Sequence, residues 1–352
     1  MSRYFSHKYD TLTPYTPGEQ PRERKYIKLN TNESPFAPGK AVVEAAGKAA
    51  GSLQLYSDIL CRDLTGRIAQ SYGLRESEVI LTNGSDEILN FAFMAYTDED
   101  HPAAFADITY GFYPVFAELN RTPYTLIPLR ENFTIDPDDY IGLGKTIFIA
   151  NPNAPTGIAL SRADIERIVE GNPDSIVVVD EAYVDFGAES AVPLIRSYDN
   201  LLVTQTFSKS RSLAGGRLGI GLGCESLIRD MNTIKFATNP YNINSMSLAA
   251  GCAAWDDWDT FLSNTGTIRE VREMTTKRLQ QMGFTVLPSR SNFVFASHPD
   301  VSGEQLYLTL KERGILIRHF SLPRISNFNR ITIGTEEQMK ILLDNIQKIL
   351  EE

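Results

Sequence analysis

The chain has 352 residues, 42% hydrophobic and 22% charged, the balance of a folded globular protein, and it is long enough that two domains are expected rather than one core. Its 34 basic and 44 acidic residues leave a formal charge of −10 with no basic run, which argues against nucleic acid as a partner, although a few arginines in a cleft can still hold a small anion. Cys61, Cys224 and Cys252 lack metal-ligand spacing and read as reduced thiols; the polar first ten residues and the lack of any ~20-residue apolar stretch point away from a membrane and toward the cytoplasm.

Residues 1–40 carry Pro14, Pro17, Gly18, Pro21, Pro35 and Pro38 and are expected to form an irregular arm lying over a surface. An Ala-rich helix over 41–50 and a short amphipathic helix over 63–72, ended by Gly73, come next. Short β-branched runs then alternate with helical segments. Strands are expected at 79–82, 103–108, 146–150, 175–180, 201–207 and 219–223, and helices at 85–96, 112–120 and 161–170. Strands that are apolar on both faces fit a mostly parallel sheet covered on both sides, so the fold class is α/β. After a helical stretch at 259–282 the order changes. Strand material at 284–296, a helix at 303–313, strands at 315–319 and 330–333 and a closing helix from 336 describe a smaller α+β unit. The expected division is therefore an arm at 1–40, a large domain at 41–258 and a small domain at 259–352.

In open α/β sheets ligands gather at the carboxyl ends of the strands, and polar clusters follow four of the expected strands here. Asn83-Gly84-Ser85-Asp86 opens a helix after Leu81, and Asn151-Pro152-Asn153-Ala154-Pro155-Thr156-Gly157 follows Ile149 and Ala150. Asp180-Glu181-Ala182-Tyr183 follows Val179, while Ser208-Lys209-Ser210 and then Gly215-Gly216-Arg217 follow Phe207. Each alone is an ordinary helix start, cap or solvated lysine. As a set they supply what pyridoxal 5'-phosphate requires. Its aldehyde needs a lysine amine with which to form an imine, and its ring nitrogen needs a buried carboxylate. Its phenolic oxygen needs a donor, and its phosphate needs the N–H groups of a helix N-terminus together with Ser and Arg.

On these motifs the chain resembles the fold-type I, pyridoxal-phosphate-dependent aminotransferases of class I and II. The resemblance runs from Leu12-Thr13-Pro14-Tyr15 and Leu29-Asn30-Thr31-Asn32-Glu33 to Arg330-Ile331-Thr332-Ile333-Gly334-Thr335. These two ends resemble most the subfamily that transaminates L-histidinol phosphate with 2-oxoglutarate in histidine biosynthesis. The resemblance implies that Lys209 is the imine-forming lysine, that Asp180 pairs with the ring nitrogen and that Tyr183 donates to the phenolic oxygen. It implies that Tyr110 stacks on the ring, with Phe112 or Tyr113 left to the core. Gly84, Ser85, Ser208 and Arg217 would hold the phosphate with Asp86 beside them, and Tyr56 would reach the phosphate of a neighbouring subunit in a homodimer. Arg330 would take the anionic end of the substrate, Asn32 would line the substrate site, and Arg318 and a partner chain's Tyr15 would help with the substrate phosphate. Taken singly, Arg318 and Arg330 read as surface arginines; their place on neighbouring strands is what suggests a shared anion pocket.

One position departs from the family pattern. Ala154 stands where an asparagine directly before Pro-Thr-Gly contacts the phenolic oxygen, so either Asn153 substitutes through a backbone shift or Tyr183 bears the role alone. Loss of that donor raises the pKa of the imine nitrogen. Rival readings on the same scaffold are a phosphothreonine decarboxylase and an aromatic amino acid aminotransferase. A non-enzymatic, cofactor-binding regulator would need a DNA-binding domain and a basic patch, and this chain has neither the length nor the charge for them.

Overall fold

The triplet Val177-Val178-Val179 offers no polar face to solvent, and the chain buries all three at the centre of a seven-stranded sheet. The computed structural model describes residues 2–21 and 23–352. In chain order the elements are β1 (Ile27–Lys28), α1 (Lys40–Ala50), α2 (Arg62–Tyr72), β2 (Val79–Thr82), α3 (Ser85–Tyr96), β3 (Ala103–Ala106), α4 (Tyr113–Asn120), β4 (Tyr124–Ile127), β5 (Thr146–Ala150), α5 (Arg162–Glu170) and β6 (Val177–Asp180). There follow β7 (Leu201–Thr206), β8 (Gly219–Gly223), α6 (Glu225–Thr238), α7 (Ser245–Asp256), α8 (Trp258–Gln281), β9 (Thr285–Val286), β10 (Phe293–Ser297), α9 (Gly303–Glu312), β11 (Ile315–Leu316), β12 (Arg318–His319), β13 (Phe328–Thr332) and α10 (Glu336–Glu351).

The large sheet runs β2-β8-β7-β6-β5-β3-β4. The pairs from β7 through β4 are parallel, and β8 lies antiparallel between β7 and β2. Because side chains alternate across a strand, Val178 packs with Phe105, Phe148 and Leu202 against α3, α4 and α6 on one face. Val177 and Val179 pack with Ile147, Ile149 and Val203 against α2, α5 and α7 on the other. Phe93 of α3 stacks on Phe148 at 4.0 Å between ring centroids.

A second sheet, β12-β13-β10-β9, is antiparallel throughout. Its core joins Phe293 and Ile331 to α8, α9 and α10. The closing helix α10 starts at Thr335, whose side chain forms a capping box with Gln338, and buries Met339, Leu342, Leu343, Ile346 and Ile349 along one stripe. Truncating Leu342 to Ala there would cost about 2–5 kcal/mol. A small apolar cluster bridges the two sheets: Ala106, Ile108 and Leu129 meet Phe295 and Ile325.

Several boundaries differ from the sequence reading. The arm contains β1, which pairs in parallel with β11, and Leu29 just after it is buried in the core of the second unit. Expected strand 315–319 splits in two because β11 pairs with β1 while β12 pairs with β13. Expected strand 284–296 is interrupted at 287–292. β4 escapes the sequence reading because three of its four residues are exposed on a sheet edge, and α6 and α7 escape it too. Among the described residues no helix is long and apolar enough to cross a membrane.

Candidate active site

The carboxyl ends of β2, β5, β6 and β7 open on one cavity of ≈ 390 Å³, lined by Ser85, Asp86, Tyr110, Asp180, Tyr183, Ser208, Lys209 and Arg217 among others. A second cavity of ≈ 390 Å³ adjoins it, shares Tyr110, Tyr183 and Lys209, and adds Tyr15, Asn32, Arg318 and Arg330. The residues expected to bind the cofactor's ring and phosphate from within this chain are brought together, Asn153 excepted.

Lys209 follows β7 through Ser208, whose N–H is held by Thr206 Oγ1 at 3.1 Å. The lysine Nζ makes a long contact of 3.5 Å with the Thr31 carbonyl and lies 5.8 Å from the Tyr183 ring centroid. The amine is half-buried and faces both cavities.

Asp180 ends β6. Its Oδ1 accepts from the Ala182 N–H at 3.1 Å and its Oδ2 from the Tyr113 hydroxyl at 3.3 Å. Burial outweighs these bonds and pushes its pKa up to about 7 from 3.8. A carboxyl so desolvated at a cavity wall asks for a cationic partner.

At the other end, Gly84 (φ 83) turns the chain into the N-terminus of α3. A Cβ at Gly84 would collide with the Arg217 guanidinium, and one at Gly219 would collide with the Gly84 and Ser85 backbone. Only glycines let the arginine and the helix N-terminus converge. Arg217 pairs with Asp86 at 3.1 Å, and Asp86 accepts from the Tyr110 hydroxyl at 2.7 Å. The result is an anion cradle of Ser85, Ser208, Arg217 and the helix N-terminus.

Arg318 and Arg330 stand directly opposite each other on β12 and β13. Arg318 donates to the carbonyls of Thr16 and Pro17 at 3.1 Å each. Arg330 is held by the Asn30 carbonyl at 3.1 Å, and its buried Nε has no hydrogen-bond partner among the described residues. Burial lowers its pKa, Tyr183 and Tyr15 oppose that, and Arg318 adds to it.

Some expectations need correction or refinement. Asn153 does not reach the cofactor cavity: its Nδ2 donates to the Ile108 carbonyl and Thr156 Oγ1 at 3.0 and 3.1 Å, and its Oδ1 accepts from Thr109 Oγ1 at 2.8 Å. Ala154 lines the cavity instead. This chain's own Tyr15 stacks on Phe112 at 4.2 Å and lines the substrate-side cavity beside Arg330 and Arg318. Asn32 lines the substrate-side cavity, but its side-chain amide is engaged by Tyr183 and Thr332. Tyr56 lies outside both cavities of its own chain, 81% exposed and stacked on Tyr241 at 4.3 Å.

The sequence reading leaves Tyr113 to the core, where it is indeed fully buried, but misses its bond to Asp180. The available signal was general: a buried tyrosine hydroxyl usually finds a partner. It also misses Arg324, which reaches from the second unit to Asp107 at 3.2 Å and to the carbonyls of Leu129 and Arg130 at 3.0 and 2.7 Å.

The residues fit pyridoxal phosphate on this geometry: a desolvated carboxylate, a cavity-facing amine, a tyrosine hydroxyl and a glycine-built anion cradle surround one space. Comparison with known proteins agrees. Residues 24–346 match the model of the family described as aminotransferase class I and II. A histidinol-phosphate aminotransferase from a Marinomonas species is 51% identical over 97% of this chain and 98% of its own. One from Brachyspira hyodysenteriae is 47% identical over 99% of each. In fold, the chain is similar to the histidinol-phosphate aminotransferase of Sinorhizobium meliloti solved in complex with pyridoxal-5'-phosphate, with a TM-score of 0.88, 22% identity and coverage of 100% of this chain and 98% of that one.

Proposed function

The chain belongs to the aminotransferase class I and II family, and we propose that it transfers the amino group of L-histidinol phosphate to 2-oxoglutarate, giving imidazole acetol phosphate and L-glutamate. The observation that carries this reading is the meeting of Lys209, Asp180 and the Arg217 cradle in one cavity that opens toward Arg330. Pyridoxal phosphate, when bound, supplies an aldehyde for the amine and a ring that takes up the electrons left by the departing proton.

The chain's own residues do the rest. Ser85, Ser208, Arg217 and the α3 N-terminus would hold the cofactor phosphate, with Gly84 making room and Asp86 fixing the arginine. Tyr110 would cover one ring face. Asp180, whose burial makes ionisation costly alone, would pair with the ring nitrogen and favour its protonated form. Tyr183 would donate to the phenolic oxygen. Lys209 Nζ would hold the cofactor's aldehyde and is the amine placed to act as the base that moves a proton at the substrate carbon. Arg330 receives the anionic end of either substrate, a phosphate or a carboxylate, with Arg318 and Tyr15 beside it; a guanidinium serves both anions.

The proposal includes a homodimer, in which the exposed Tyr56 reaches the neighbouring cofactor phosphate, and a cytoplasmic location. It also includes an arm at 1–40, a large domain at 41–258 and a small domain at 259–352, supported by the seven-stranded sheet lying wholly within the second span and the four-stranded sheet wholly within the third. The test is a half-reaction on purified protein. L-Histidinol phosphate should abolish the visible band of the bound cofactor and 2-oxoglutarate should restore it. Lys209→Ala should show neither that band nor steady-state turnover. A wild-type band that ignores histidinol phosphate but responds to phosphothreonine, with carbon dioxide released, or to an aromatic amino acid would refute the substrate assignment.

A further inference from the structure

Asn32 lies in the left-handed region (φ 56) in the wall of the substrate-side cavity, almost fully buried. Its N–H donates to Thr332 Oγ1, its Oδ1 accepts from that same Thr332 hydroxyl, and its Nδ2 donates to the Tyr183 hydroxyl, each at 2.9 Å. Together these bonds fix directions. The Thr332 oxygen already accepts the Asn32 N–H, so its one proton goes to Asn32 Oδ1. A flipped amide would turn a second donor onto Thr332 and take away the acceptor of a buried hydroxyl. The amide NH₂ therefore faces Tyr183. Having accepted that bond, the tyrosine keeps its own single proton for another acceptor, and its side chain lines the same two cavities as Lys209.

Two further facts give this arrangement a purpose. Ala154 lines the cavity without a polar atom, and the Asn153 side chain is turned away, so neither donates there. Thr332 lies two residues from Arg330 on β13, on the same face of the sheet. We propose that Asn32 and Thr332 are positioning residues that aim the Tyr183 proton at the cofactor's phenolic oxygen, making Tyr183 the side-chain donor that Ala154 is not. The inference rests on the functional reading above.

A donor on that oxygen stabilises its anionic form, so the neighbouring Lys209 nitrogen gives up its proton at lower pH. The other titratable groups around Tyr183 and Lys209 are Tyr15 and Glu33 from the arm, Asp86, Tyr110, Tyr113, Asp180 and Arg217 from the large sheet's side, and Arg318 and Arg330 from the second sheet. None of them is altered by the substitutions below.

The experiment is a pH titration of the visible band of the cofactor-loaded enzyme. Asn32→Gly, which tolerates the positive φ, should raise the apparent pKa of that band by roughly one pH unit. Thr332→Val, which keeps the shape, should raise it by less. In a Tyr183→Phe background, Asn32→Gly should shift nothing further. The proposal is overturned if Asn32→Gly and Thr332→Val titrate as wild type, or if the Asn32→Gly shift persists without the tyrosine hydroxyl. If Asn32→Gly does not fold, Thr332→Val decides alone. A wild-type protein that develops no visible band with pyridoxal phosphate would refute the functional reading and this inference together, whereas a normal band with unshifted variants refutes only the inference.

Discussion

Replacing Asp180 with asparagine should change stability in opposite directions with and without the cofactor. In the cofactor-free protein, burial raises the Asp180 pKa from 3.8 to about 7. The folded chain then binds more protons than the unfolded chain between about pH 4 and pH 7, so stability is lost as pH rises through that window. Full ionisation costs at most about 4 kcal/mol, and water in the open cavity reduces this to roughly 2 kcal/mol. The amide of the Asp180→Asn variant carries no charge, so the cofactor-free variant should be the more stable protein at pH 8, with a smaller gain at pH 5. Burial raises Glu181 to about 7 as well, but that group imposes the same slope on both proteins and cancels in the difference. With cofactor bound the order should reverse, because only the carboxylate pairs with a protonated ring nitrogen. Urea melts of both proteins at pH 5 and 8, with and without pyridoxal phosphate, measure all of this. A cofactor-free variant no more stable than wild type at pH 8, or equally favoured at pH 5 and 8, would refute the argument.

Gly84→Ala places a methyl group against the Arg217 guanidinium and strains a residue at φ 83, so cofactor affinity should fall by about tenfold or more; an unchanged dissociation constant in a cofactor titration would count against the cradle. Arg324→Ala removes the ion pair to Asp107 and the bonds to Leu129 and Arg130 that fasten the second unit to the first. These groups are partly exposed, so the loss is about 1–2 kcal/mol and KM for both substrates should rise by about 5–20-fold with the visible band unaltered. A fall in kcat at constant KM would contradict that reading.

The floor of the first cavity was legible because its residues sit in short local motifs at the ends of apolar strands, where one segment of sequence carries both the strand and the group it presents. Asp180, Lys209 and Arg217 needed no knowledge of distant neighbours. What escaped depends on segments far apart in the chain. The two-residue strand Ile27–Lys28 exists only through its pairing with Ile315–Leu316. The edge strand Tyr124–Ile127 is mostly exposed and lacks the apolar run that marked the others. Asn153 was a reasonable substitute for the missing asparagine by adjacency alone, but its amide satisfies the buried polar groups of its own loop. Tyr113 and Arg324 act across 67 and 217 residues of sequence, beyond the reach of any local pattern.

The register that sets Arg318 against Arg330 has an energetic consequence. Like charges directly opposite on neighbouring strands repel, so the second sheet folds against a local electrostatic load that a multiply charged anion bound there would relieve. Binding and folding are thereby linked: any dianion able to reach both guanidiniums, inorganic phosphate included, should act at once as a stabiliser and as a competitor for substrate. A kinetic constant measured in phosphate buffer would then describe the enzyme with its load already relieved.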